Sequence, residues 1–298
     1  MRLKKIAIVV TVLLLVLITL LSRSWLKVED QIVPEVAIEV SSHSEIGKSV
    51  LGRSIDAYTF GTGETQLAFV GGMHGGYEWN SVLLAYSLID YLQKEPTSIP
   101  KNISVTVIPS VNPDGVFNVI GKEGRFTLAD IPEGAKTEPG RFNANDVDLN
   151  RNFDCKWKSK STWRGKEVSA GITAFSEPEA QAVRDFFLGT MPSAVIFWHS
   201  QANAVYASEC EEGILPMTRE IMNAYANAAE YPAIDTFDAY EITGDADGWL
   251  ASIGIPAITV ELKTHEAIEW EKNLNGIKAV FDYFFIPTAV KLDTIPEL

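Results

Sequence analysis

His43, His74, His199 and His265 are the only histidines among the 298 residues. Two of them stand just past apolar runs: His74 follows Gln66–Val70 across a glycine turn, and His199 follows Ala194–Trp198 directly. Glu78 lies four residues beyond His74, and Glu261 ends a third apolar run, Ala257–Val260. A lone histidine at the end of a strand is more often a structural residue. Two such ends together with two carboxylates reverse that preference. Two imidazoles and one carboxylate with an open fourth position form a known catalytic zinc ligand set. Such an ion lowers the pKa of a bound water and polarises a carbonyl. A second carboxylate outside the ligand set can then take the water proton and pass it to a leaving amine, and Glu261 is available for that role.

A third group of polar residues fills 140–154, where Arg141 and Arg151 stand ten apart among asparagines and aspartates. Asparagine and aspartate alone suggest turns. An arginine beside an asparagine can instead grip a carboxylate through paired hydrogen bonds. An anion held near a metal-activated water points to a substrate with a free carboxylate.

These groups need elements to hold them. Apolar runs predict strands at Gln66–Val70, Ile103–Pro109, Ala194–His199 and Ala257–Leu262. Amphipathic spacing predicts helices at Ser81–Gln93, Glu177–Leu188, Leu215–Glu230 and Ala267–Phe285. The third and fourth runs are almost entirely apolar, as expected of central strands covered on both faces. The fold class is therefore α/β, with a mixed, largely parallel central sheet flanked by helices. In such sheets ligands bind beyond the carboxyl ends of the strands, where His74, Glu78, His199 and Glu261 stand. Ser176–Glu179 reads as a helix start with a capping box, Ser176 capping and Glu179 three residues on, and carries no chemistry.

Hydrophobic residues make up 46% of the chain, enough for a packed core, and the net charge is −14. Beyond residue 22 the chain holds 22 basic and 39 acidic residues, a balance that excludes nucleic acid as a partner. Residues 6–22 begin with an uncharged apolar run after Arg2, Lys4 and Lys5 and lack a small-residue cleavage site. They are expected to form an uncleaved transmembrane anchor, with residues 1–5 cytoplasmic and 23–40 a tether and lead-in strand. Residues 41–298 would be a catalytic domain outside a bacterial-type cell membrane. A cleaved signal is the alternative, and either way the body is exported. Cys155 and Cys210 permit one disulfide in that setting or are two unrelated thiols.

Seven segments in order resemble the zinc metallocarboxypeptidase family, especially its bacterial branch acting on small or cell-wall peptides. They are Ile46–Arg53, Gly71–Asn80, Ile108–Gly115, Asp146–Phe153, Phe175–Ala180, Trp198–Ser200 and Ile258–Leu262. The resemblance implies one zinc ion on His74, Glu78 and His199, with Glu261 as the base. It implies that Asn150 and Arg151 hold a peptide's terminal carboxylate, that Arg141 stabilises the oxyanion, and that Tyr240 closes over the substrate. The specificity pocket would fall within Thr243–Trp249. There Asp245 or Asp247 either meets a cationic side chain or the amine of a diamino acid, or caps the turn before Leu250. Cys155 and Cys210 would lie at the active-site rim, where a disulfide would pin two loops.

The sequence departs from the family at its first motif. Three residues, Gly75, Gly76 and Tyr77, separate His74 from Glu78 where two are usual, an extra residue that a glycine bulge could absorb. Tyr77 stands where many members carry an arginine. Three functions remain open: a carboxypeptidase, a deacylase of N-acyl amino acids resembling the desuccinylases, and a non-catalytic carboxylate-binding relative.

Overall fold

The computed structural model describes residues 42–285. The expected anchor at 6–22, with its cytoplasmic lead and the whole tether at 23–40, lies outside them. Among the described residues no helix is long and apolar enough to cross a membrane. The chain runs through β1 (Ser42–Lys48), β2 (Ser54–Phe60), β3 (Thr65–Val70), α1 (Trp79–Lys94), β4 (Ile103–Ile108) and α2 (Pro113–Ile120). It continues through β5 (Lys160–Trp163), β6 (Lys166–Ser169), α3 (Pro178–Thr190), β7 (Ala194–Ser200) and β8 (Ala204–Ala207). Last come α4 (Pro216–Ala229), β9 (Ala233–Ile234), α5 (Ala246–Ser252), β10 (Ala257–Leu262) and α6 (Trp270–Phe285).

Eight strands form one mixed sheet in the order β1-β2-β4-β3-β7-β10-β8-β9, and β5 and β6 form a separate hairpin. The four central strands, β4, β3, β7 and β10, run parallel, while β2 and β8 flank them antiparallel. All four predicted strands are these central ones. Their side chains alternate between two cores. Phe69, Trp198 and Val260 face α1, α4 and α6, while Val70, Phe197 and Ala257 face α3 and α5. Burial on both faces is why these runs are mostly apolar rather than alternating.

The order of strands reverses between β3 and β7, because β3 leads outward to β4 and β7 leads the other way to β10. A crevice opens at the carboxyl ends of the strands at such a point. In β7 and β10, His199 and Glu261 occupy the same rung of the parallel ladder. One register therefore fixes both.

The helix start at Ser176 differs from expectation. The N-cap of α3 is Glu177, with no side-chain cap bond. Ser176 Oγ instead accepts from Asn152 and donates to Glu177, and Glu179 accepts from the Val50 amide and from Asn143. Glu179 is wholly buried, so its carboxylate joins α3 to the β1–β2 turn rather than to its own helix end.

Candidate active site

His74 and Glu78 lie between β3 and α1, on a 3-10 turn at Gly75–Glu78. The extra residue of the motif is absorbed here. Gly75 has φ +45, and a Cβ on it would fall 2.7 Å from the Gly140 carbonyl oxygen. A Cβ on Gly76 would fall 2.6 Å from the Gly115 carbonyl oxygen and from Val119. Two side-chain-free residues let the turn press against α2 and the 138–141 segment, and Glu78 comes back toward His74. His74 Nδ1 lies 2.8 Å from Glu78 Oε1, His199 Nδ1 lies 3.0 Å from Glu78 Oε2, and the two Nδ1 atoms are 3.1 Å apart.

Among the described residues this is the one group of three potential ligand side chains close enough to share a metal ion. The donor set fits zinc. Bonds of 2.0–2.1 Å in a tetrahedron separate nitrogen ligands by roughly 3.3 Å, slightly wider than these atoms stand. His74 Nε2 faces Asp148 Oδ1 at 3.3 Å. A carboxylate there holds the ring proton on Nε2 and leaves the Nδ1 lone pair directed at the metal position.

The ionisation of the group follows from its packing. Burial alone would raise the Glu78 pKa, but the charges of His74 and His199 outweigh it and hold the carboxyl well below the usual range. Burial would lower His199, and Glu78 more than compensates, so its pKa rises. Asp148, also pushed up by burial, is held well below the usual range by Arg141 and Arg151. Glu261 goes the other way: burial, then the nearby Glu78 charge, push it up to about 7. Its Oε2 accepts from the Ala202 amide at 3.2 Å. A carboxyl poised near neutrality beside a metal triad is suited to accepting a proton and returning it.

Arg141 is only 3% exposed. Its Nε and Nη2 both donate to Asp148 Oδ2, at 2.9 and 2.7 Å, while Nη1 is left 3.8 Å from Glu78 Oε1. The Trp163 ring lies 4.6 Å from its guanidinium carbon. Arg151 donates to the Asn150 carbonyl at 2.6 Å, and among the described residues its buried Nε has no hydrogen-bond partner. Asn150 Oδ1 accepts from the Ala246 amide at 3.0 Å, which ties this arginine segment to the start of α5.

Asp245 caps α5 through the Gly248 amide at 2.9 Å, and Asp247 accepts from Thr259 at 3.0 Å. Capping and pocket lining therefore coexist. Burial and then the Asp247 charge raise the Asp245 pKa well above normal, so a cation entering between the two acids would be stabilised. Tyr240 packs on Phe237 with ring centroids 4.9 Å apart. Cys155 and Cys210 are joined in a disulfide across 55 residues, tying the end of the arginine segment to the segment after β8.

These residues line one cavity of about 470 Å³, together with Tyr77, Trp163, Arg164, Tyr206 and Phe237. All twelve residues singled out in the sequence are brought to it or, for Cys210, to its rim. Several others were missed. Asp148 sits inside the Asp146–Phe153 motif, whose aspartate spacing was the available signal. The hairpin residues Trp163 and Arg164 gave none. Asn80, Ser200 and His265 form a polar chain behind Tyr77: Ser200 Oγ donates to Asn80 at 3.0 Å and meets His265 Nδ1 at 2.6 Å. The His265 ring tilts onto Tyr77 at 4.5 Å.

A family model described as zinc carboxypeptidase matches residues 37–297. The gamma-D-glutamyl-L-diamino acid endopeptidase 1 of Lysinibacillus sphaericus is 26% identical over 238 residues, covering 73% of this chain and 59% of that protein. The murein peptide amidase A of Escherichia coli K12 is 31% identical over 131 residues, 41% of this chain and 50% of that protein. The chain thus spans between half and three-fifths of the length of these curated relatives. Among solved structures, a murein-tripeptide amidase from Escherichia coli O157 superposes with a TM-score of 0.59 at 23% identity, over 80% of this chain and 91% of that one. Bovine thrombin-activatable fibrinolysis inhibitor superposes with a TM-score of 0.65 at 20% identity, over 85% and 91%. At these identities the superpositions establish the fold.

Proposed function

Because this chain belongs to the zinc carboxypeptidase family, whose members are zinc-dependent peptide hydrolases, we propose that it cleaves a C-terminal amide bond of a small or cell-wall peptide. The observation that carries this reading is the convergence of His74, Glu78 and His199 with Glu261 and Arg141 in one cavity. Zinc held by the His74 and His199 Nδ1 atoms and the Glu78 carboxylate would activate a water and polarise the scissile carbonyl.

The remaining steps belong to side chains. Glu261 takes the water proton as the carbonyl is attacked and delivers it to the departing nitrogen. Arg141, kept in place by Asp148 and Trp163, turns its Nη1 to the oxyanion as charge develops there, the step at which a fixed donor contributes most. Asn150 and Arg151, which both line the cavity, hold the terminal carboxylate. Tyr240 closes over the product side and excludes water. Asp245 and Asp247 favour an amine-bearing C-terminal residue, in keeping with the diamino acid in the name of the Lysinibacillus relative.

We place the domain outside the cell, tethered through residues 6–22. The Cys155–Cys210 disulfide supports this reading, since such bonds persist in oxidising compartments. The decisive experiment compares zinc content and hydrolysis in the wild type, Glu78→Ala and Glu261→Gln. The expected pattern is loss of zinc in the first variant. The second should retain zinc while activity falls about 10²–10⁴-fold. A wild-type protein that binds no zinc would end the enzyme reading.

A further inference from the structure

Arg141 meets the site through one atom. Its Nε and Nη2 are both engaged by Asp148 Oδ2, and only Nη1 is turned toward Glu78. A two-pronged grip fixes the guanidinium plane on Asp148. Where Nη1 then points depends on how the two backbones are set against each other. Arg141 and Asp148 are seven positions apart, and residues 142–147 between them belong to no helix or strand.

Asn143 closes that gap. Its amide donates to the Val147 carbonyl and its carbonyl accepts from the Asp146 amide, both at 3.0 Å. Its side-chain Oδ1 accepts from the Asn145 and Val147 amides, again at 3.0 Å. Its Nδ2 donates to two acids, Glu177 Oε2 at 2.8 Å and Glu179 Oε2 at 3.1 Å. Every polar atom of this buried residue is therefore engaged. An asparagine that satisfies its own turn is ordinary. One whose amide is gripped by two buried carboxylates does more, because such groups are costly to bury unless donors meet their oxygens.

Glu177 and Glu179 stand at the start of α3, and both are buried. Glu177 accepts from Asn143, Asn145 and Ser176, and Glu179 accepts from Asn143 and the Val50 amide. Together they bind the 143–147 loop to α3 and to the β1–β2 turn. Neither acid lines the active-site cavity, and nor does Asn143.

We propose that Asn143 is a positioning residue for the oxyanion arginine, and that Glu177 and Glu179 are the clamp through which α3 sets where Arg141 Nη1 points. The proposal rests on the peptidase reading and adds to it three residues that touch no substrate. A fixed donor stabilises a developing oxyanion only at the right distance. A displacement of about 1 Å is enough to lower the rate on the order of tenfold to a hundredfold.

The test is a double-mutant cycle on zinc-loaded protein, with N-benzoyl-glycyl-lysine as substrate. Asn143→Ala is expected to lower kcat about tenfold or more, with KM within about twofold and zinc content unchanged. In an Arg141→Gln background the same substitution should lower kcat less than about twofold, because the group it acts through is gone. Glu177→Ala leaves Asn143 its bond to Glu179, and it repeats the cycle if Asn143→Ala does not fold. Glu177→Gln can keep an oxygen toward both asparagines and should restore most of the rate. A second readout needs no turnover. Solvent exchange of the Arg141 Nε–H, followed by nitrogen-edited NMR and assigned through Arg141→Lys, should quicken about tenfold in either alanine variant. Equal losses of kcat in both backgrounds, a parallel loss of zinc, or unchanged Nε–H exchange overturns the proposal. A wild type that hydrolyses no peptide ends the peptidase reading instead, and the exchange measurement still decides whether Asn143 sets Arg141.

Discussion

Glu78, Asp148 and Glu261 share one pocket, yet their neighbours drive them to different ionisation. His74 and His199 hold Glu78 in its charged form, and Arg141 and Arg151 do the same for Asp148, whereas Glu261 faces burial and the negative Glu78. The sign for activity follows directly. Glu261 can accept a proton only when deprotonated, so activity is lost as pH falls through its pKa. Without a metal that value is about 7. A dication in the triad offsets the Glu78 charge and draws it down toward the ordinary glutamate value of about 4.3. The acid limb of kcat/KM should therefore fall between those limits, dropping tenfold per pH unit below it, and a pH–rate profile checks this. A limb above pH 7 would assign the proton to another group. In the sequence Glu261 was found by its place after an apolar run, but its raised pKa was not legible. That depends on Glu78, which is 183 positions away in the chain and adjacent only once folded.

The Gly75–Glu78 turn shows the same limit for an element. The sequence disclosed an extra residue and two glycines able to absorb it, but not what the glycines press against. The space for a Cβ on Gly76 is taken by the Gly115 carbonyl and the Val119 side chain, contacts that pattern cannot reveal. Gly76→Ala should strain the turn by about 1–3 kcal/mol, lowering Tm by several degrees. It should also weaken zinc binding more than Gly189→Ala, a helix site with open space around it. Thermal melts and zinc titrations of the two variants distinguish local crowding from a general loss of glycine. The four central strands were readable because burial on both faces leaves mostly apolar residues. The flanking strands β1, β2, β8 and β9 and the β5–β6 hairpin were missed for the opposite reason, being short or exposed on one face. α2 opens with Pro113-Asp-Gly115, residues that read as a turn and here start a helix capped by Asn112.

Across the whole molecule, a rigid sheet supplies the metal ligands and base, while segments outside it supply the walls. The Cys155–Cys210 bond is the covalent tie between two of those segments. Closing a loop of that length restricts the unfolded chain by ~4 kcal/mol in the chain-entropy treatment. Reduction, or Cys210→Ser with Cys155→Ser, should therefore lower Tm and raise KM through Arg151 and Asp245 more than it changes zinc content. Equal zinc loss would mean that the bond supports the centre itself. The shared rung of His199 and Glu261 has a different consequence, one of inheritance. Sliding either strand by one residue turns its own member of the pair to the wrong face, so ligand and base can be kept only as a pair. Mutation is then free to remodel the hairpin, the 243–249 segment and the disulfide-bound rim. Descendants of such a chain can acquire new diets, but they inherit the same ruler between metal and base.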